Sequence, residues 1–268
     1  TDDLAKLVAQ GTTIGLTDSH AQTYATKNLD TAQDQLKTAL ETEAKAQALE
    51  MKQEFAKQDN FDLNFAKNLG SHYKQIDESA VNSQGQVSIK RGSQNIYTQD
   101  YSMVVGTYIS KNMKDDIDQM PNQSLFSTKS IGLITSEATL PTEGVATYKG
   151  KGISKGSYMD LVYNVDFTKQ TGSGYLTNGD AQYYYGEKIS LNEGKFSKVN
   201  PNTKEIGIWS RAKSLNNIDG HYSLTFYGTE AQEISGYLLM HGGNSFEPKN
   251  KYGDYEYGLS GTRGEIAK

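Results

Sequence analysis

The sequence predicts a mainly β protein: an N-terminal domain of one long helix plus an antiparallel sheet, then a C-terminal eight-stranded antiparallel β-barrel. Three observations predict it. Residues 1–140 hold 7 of the 26 Gly and 5 of the 18 Tyr, so residues 141–268 hold 19 and 13, a shift toward tight turns and β-forming aromatics. Apolar residues recur at steps of three and four across 29–58, the period of a helix. From Tyr158 to Phe167 apolar and polar residues alternate strictly, the period of a half-buried strand.

Taken in order, residues 1–27 are small, polar and weakly periodic, and read as a flexible leader. The helix stripe is Leu29, Ala32, Leu36, Leu40, Ala44, Ala48, Met51 and Phe55, with no Gly or Pro interrupting. Asn28 is the expected N-cap, and Glu41 with Lys45 can pair one turn apart on the solvated face. A stripe this narrow and Ala-rich fits a helix laid against a sheet or its own second half; a coiled-coil dimer is the alternative. After Gly70 short β-patterns follow at Gln86–Lys90, Asn95–Thr98, Tyr101–Ile109 and Ile131–Ser136. The polar stretch Lys111–Ser130 reads as a loop. Its Asp115, Asp116 and Asp118 lack the alternate ligands, the Gly and the closing Glu of a calcium loop. The helix and sheet domain thus spans 28–140.

The barrel domain spans 141–268. In Tyr158–Phe167 the inner set is Met159, Leu161, Tyr163, Val165 and Phe167; Tyr222, Leu224 and Phe226 repeat the pattern. Val145–Lys149, Ala181–Tyr185, Ile189–Val199, Ile206–Leu215, Ile234–Met240 and Tyr255–Ser260 bring the strands to about eight. Eight strands close a sheet around a lumen filled by side chains, which removes exposed edges.

Chemistry is sparse. A net charge of -5 with no basic stripe excludes a phosphate-backbone partner, and no apolar run reaches the roughly 20 residues of a membrane-spanning helix. The absence of cysteine removes disulfides, thiolate nucleophiles and zinc–thiolate sites. Gly152-Ile153-Ser154-Lys155-Gly156 matches a nucleophile-elbow pattern, but a strand follows it where an elbow needs a helix. His20, His72, His221 and His241 stand singly, without H-x-x-x-H spacing. His221 and His241 flank neighbouring strands, which can bring them together, and a single His or Tyr can ligate haem iron. Tyr183, Tyr184 and Tyr185 read as a strand with aromatics on both faces. No enzyme, metal or cofactor is predicted. In Ile234–Met240 the inner set Ile234, Gly236, Leu238 and Met240 leaves Tyr237 and Leu239 pointing outward, onto a neighbouring domain or a partner.

Gly220-His221-Tyr222-Ser223-Leu224 followed by Gly228 and Ala231-Gln232-Glu233-Ile234-Ser235-Gly236 resembles the C-terminal barrel of the meningococcal factor H-binding protein family. It is similar, more loosely, to transferrin-binding protein B barrels. Leu140-Pro141-Thr142-Glu143-Gly144-Val145-Ala146-Thr147-Tyr148-Lys149-Gly150 resembles that family's entry strand, and Gly85–Ile89 through Ile96-Tyr97 to Tyr101-Ser102 a central stretch of its N-terminal sheet. The helix of 29–58 has no counterpart there. The resemblance implies a curved N-terminal sheet before the barrel and a Gram-negative surface lipoprotein, of the Pasteurella type, held in the outer membrane by a lipidated cysteine preceding Thr1. It also implies capture of a host plasma protein for immune evasion. Two glutamates that grip factor H in that family fall where this chain has Ile218 and Leu239. An apolar residue there would bury the partner's charge unpaired, at a cost of roughly 3–5 kcal/mol, so another complement regulator such as factor I becomes the expected partner beside factor H. Ile218, Tyr237 and Leu239 are the expected partner-binding residues. The alternative is iron or haem acquisition from transferrin, a haemoprotein or haem, whose mark would be a converging His or Tyr pair at the barrel mouth.

Overall fold

The structure is a computed structural model describing residues 18–59, 62–81, 83, 85, 87–114, 125–155, 157–177, 188–198, 205–241 and 254–268. Two compact units are present, Thr1–Ala46 and Gln47–Lys268. The helix α1 runs over Asp18–Gln58, starting ten residues before the expected Asn28 cap, which lies inside it. Residues 18–27 contain neither Gly nor Pro, so a backbone helix continues there without an apolar stripe to reveal it. In the first unit Leu36 and Leu40 are exposed. Ala44 there and Ala48 in the second unit are buried as expected; beyond them Lys52 and Ala56 are buried and Met51 is exposed, one residue on from the expected Met51 and Phe55.

A short helix α2 (Leu63–Lys67) is capped by Asp62, whose carboxylate accepts from the Asn64 N–H at 2.9 Å. It leads into a four-stranded antiparallel sheet of β1 (Gly70–Val81), β2 (Val87–Thr98), β3 (Ser102–Lys114) and β4 (Leu125–Gly132), ordered as a meander. Ala56, Ala66, Ile96, Met103 and Val105 form its core, with Phe55, Phe65 and Ile131 packed alongside. Two expectations are corrected. The loop of 111–130 is strand at both ends, and only 115–124, with its three aspartates, lies outside the described residues. The edge strand β1 is polar on both faces, with Ile76 its one buried residue, so it carries no alternation to read.

The barrel closes in the order β10-β11-β12-β5-β6-β7-β8-β9, every neighbour antiparallel. Its strands are β5 (Val145–Ser154), β6 (Ser157–Asp166), β7 (Thr171–Thr177), β8 (Lys188–Lys198), β9 (Ile206–Ser214), β10 (Asp219–Tyr227), β11 (Glu233–Met240) and β12 (Tyr255–Arg263). The count of eight is as expected, but the third strand is Thr171–Thr177; Ala181–Tyr185 lies outside the described residues. The predicted inner rows are buried: Met159, Leu161, Tyr163 and Val165 on β6 with Phe167 just beyond it, Tyr222, Leu224 and Phe226 on β10, Ile234, Leu238 and Met240 on β11. Three lumen hydroxyls find partners, as burial favours: Tyr148 donates to the Ala231 carbonyl at 2.6 Å, Tyr163 and Tyr222 share a hydrogen bond of 2.9 Å, and Tyr222 donates to the Asn192 carbonyl at 2.6 Å. Gly152–Ser154 end β5 and β6 begins at Ser157, so the motif leads from strand to strand, as an elbow never does.

Within the second unit β3 and β4 pack across the outside of β11 and β12. Gly258 makes the approach close: a Cβ there would stand 2.6 Å from Cγ2 of Val104 and 3.0 Å from Cγ1 of Ile153. Gly258→Val is therefore expected to cost about 1–3 kcal/mol by overpacking, seen as a melting temperature lowered by several degrees; an unchanged melt would show that the contact is slack.

At the margin of this contact the β2–β3 turn is held by polar groups. Lys52 Nζ donates to the carbonyls of Gln99 and Asp100 at 2.6 and 3.0 Å. Glu233 accepts from the Tyr101 N–H at 3.0 Å and the Ser102 hydroxyl at 2.8 Å. Gln99 bonds Thr262 and Ser260 across on β12. Lys52 and Glu233 are both 2% exposed. Burial, against the pull of Glu233, lowers the lysine's pKa, and burial pushes the Glu233 carboxyl up to about 7.

Candidate functional site

The outer face of β11 changes character along its length. Glu233 and Ser235 are buried beneath the sheet, where Ser235 bonds the Ser130 hydroxyl at 2.8 Å. Tyr237 and Leu239, next on the same face, are half-buried. Antiparallel register aligns Trp209, Ser223, Tyr237 and Gly258 in one row and Arg211, His221, Leu239 and Glu256 in the next. Alternation fixes which side these residues face: Ile208 is inside and fully buried, so Trp209 is outside and 55% exposed.

His221 links the rows. Its ring lies 6.0 Å from that of Trp209, 6.4 Å and edge-on to Tyr237, and 5.0 Å from His241. His221 Nδ1 and His241 Nε2 are 3.1 Å apart, and His241 Nδ1 lies 3.0 Å from Asp254 Oδ1. Burial, and then the neighbouring His241, hold His221 below the ordinary histidine range, with Asp254 opposing. Burial and Glu256 raise the Tyr237 hydroxyl. The result is an aromatic and apolar strip across β9–β11 with an imidazole pair at its edge.

Ile218, the third expected residue, stands apart in character. It sits in the β9–β10 turn, its N–H donating to the Ser214 hydroxyl and its carbonyl accepting from the Ser214 N–H, and packs partly against the barrel core. His72 is structural: Nε2 meets the Asn68 carbonyl at 2.6 Å and the ring stacks on Phe65. The run Tyr183–Tyr185 lies outside the described residues. Among the described residues no three His, Asp or Glu gather around a point that could hold a metal.

The sequence reading missed Trp209 and Asp254. Trp209 was findable, since Ile206 and Ile208 set the inner phase of β9. Asp254 was not, because it precedes β12 and meets His241 only through the fold.

Residues 138–238 match the family model of factor H binding protein, C-terminal. The resemblance drawn from the sequence thus holds over the barrel's first six strands and most of β11. None of the curated proteins matches the chain. Among solved structures, intact Ap-TbpB with its N and C lobes is similar at 13% identity and TM-score 0.39, over 72% of this chain and 39% of that one. A point mutant of the vaccine antigen Transferrin Binding Protein B from Haemophilus parasuis Hp5 gives 14% and 0.39, over 72% and 45%. A protein described as a surface lipoprotein gives 11% and 0.38, over 74% and 100%. This chain spans less than half the length of the two transferrin binding protein B chains.

Proposed function

We propose that this chain is the binding portion of a Gram-negative surface lipoprotein, lipid-anchored in the outer membrane, that captures a host plasma protein for immune evasion. The observation that carries the reading is the match of residues 138–238 to the factor H binding protein C-terminal domain. The outer strip of Trp209, Tyr237 and Leu239 supports it, because aromatic residues supply much of the binding energy at protein interfaces. The protein works by binding and not by catalysis. A complement regulator is the partner, factor I ahead of factor H: Leu239 offers an apolar contact beside His221 where factor H recognition in the related family uses a charge, and Ile218 is turned partly into the core.

The test is to immobilise the protein, pass animal plasma over it and identify what stays. A retained complement regulator supports the reading; retained transferrin or haemoprotein, or nothing retained, overturns it. A second reading, haem acquisition, is favoured by one observation, the convergence of His221 and His241. Their nitrogens are 3.1 Å apart, whereas two axial ligands on opposite sides of one iron, at roughly 2 Å each, stand about 4 Å apart. The pair therefore does not bracket a haem. Added haem is expected to give no Soret band, and a band lost in His221→Ala would promote the second reading.

A further inference from the structure

The His221–His241–Asp254 chain is built in a way that neither packing nor host-protein contact requires. Asp254 Oδ1 stands 3.0 Å from Nδ1 of His241, which places the imidazole proton on Nδ1, donated to the carboxylate, and leaves Nε2 as a bare lone pair. That lone pair points at His221 Nδ1, 3.1 Å away. His221 donates its Nδ1 proton into it when the site is empty; the other neutral tautomer, with the proton on Nε2, puts a second lone pair on the same point. Two nitrogens bound to one tetrahedral ion at about 2.0–2.1 Å stand roughly 3.3–3.4 Å apart. A slight rotation of either ring reaches that separation. A carboxylate behind a ligating imidazole is also the usual means of fixing its tautomer and orientation.

We propose that His221 Nδ1 and His241 Nε2 chelate one borderline divalent transition-metal ion, of the Zn²⁺, Ni²⁺ or Cu²⁺ class, in cis, with Asp254 positioning His241. Two nitrogen donors suit these ions and not Ca²⁺ or Mg²⁺, which take oxygen ligands. With the His241 side chain 47% exposed, the remaining coordination positions are open to water. The site borders Trp209 and Tyr237 through His221, so an ion here lies at the edge of the outer strip.

The experiment is a calorimetric titration of the untagged full chain with ZnCl₂ in a non-chelating buffer. One site per chain is expected, no binding of CaCl₂ at equal concentration, loss of the Zn²⁺ heat in His221→Ala and in His241→Ala, and a 10–100-fold weaker site in Asp254→Asn. Thermal melts of the three variants without metal check that each is folded. Imidazole resonances of the unmutated protein give a second readout: of the four histidines, only His221 and His241 are expected to shift with Zn²⁺. No heat up to millimolar Zn²⁺, a site that survives in the double variant, or shifts at His72 or His20 instead would each overturn the proposal. No host protein enters these measurements, so failure of plasma capture and failure of metal binding are told apart.

Discussion

Replacing Glu233 by Ala is expected to give the largest stability loss of any single change in the second unit. The carboxylate accepts from the Tyr101 N–H and the Ser102 hydroxyl, and its removal takes that acceptor from both buried donors. Leaving buried donors without their acceptor costs about 1–3 kcal/mol each, so melting temperature should fall by on the order of 10 °C. Glu233→Gln separates charge from hydrogen bonding. The unmutated carboxyl has its pKa raised from 4.5 to about 7, chiefly by burial. Between those values the folded state holds a proton that the unfolded state has released, so stability falls as pH rises from about 4.5 through 7 and levels above. The span amounts to about 3 kcal/mol. In Glu233→Gln this slope should disappear while the neutral side chain keeps an acceptor and a donor for Ser102. A slope unchanged in the Gln variant would show that another group produces it.

The second large effect concerns binding. Trp209→Ala and Tyr237→Glu should each weaken capture of the plasma ligand by about 30-fold or more, the scale of a central aromatic anchor at 2 kcal/mol. Trp209 is 55% exposed, so its loss should leave the melting temperature within a few degrees. Tyr237 is the sharper test because its strand neighbours Glu233 and Ser235 lie under the sheet. If Tyr237→Glu melts many degrees lower while capture persists, the residue belongs to the sheet–barrel contact and the proposed binding face is lost with it.

The barrel was legible because its lumen is lined by long alternating rows such as Met159 to Phe167. β7 escaped for a physical reason: its lumen side opens with Gly172 and Gly174, where a Cβ would stand 2.7 Å from atoms of the Tyr163 ring, and only Leu176 follows as a buried apolar residue. The bulky tyrosine opposite requires small residues there, and small residues leave no apolar alternation. The N-terminal sheet was half legible. β2 was broken into pieces by Gly92, where the register shifts and a Cβ would collide with the Tyr108 carbonyl at 1.9 Å. The motif around Ala231-Gln232-Glu233, which carried the family resemblance, contains a residue whose place is structural: Glu233 clamps the β2–β3 turn. Tyr237 and Leu239 could be assigned to the outer face by period two. The approach of His221 and His241 was legible from their places beside neighbouring strands, whereas Asp254, ahead of β12, needed three-dimensional register.

Closure of the barrel sets an order of events in the cell. β12 lies between β11 and β5, pairing Gly258 with Ile153 on one side and Tyr237 on the other. Until Tyr255–Arg263 has left the ribosome or crossed a membrane, β5 and β11 both present open edges with unpaired N–H and C=O groups, templates for misassembly. Pairing this distant in sequence is also slow, on the order of milliseconds to seconds. The barrel therefore stays open, its edges exposed to chaperones, until one nine-residue strand arrives.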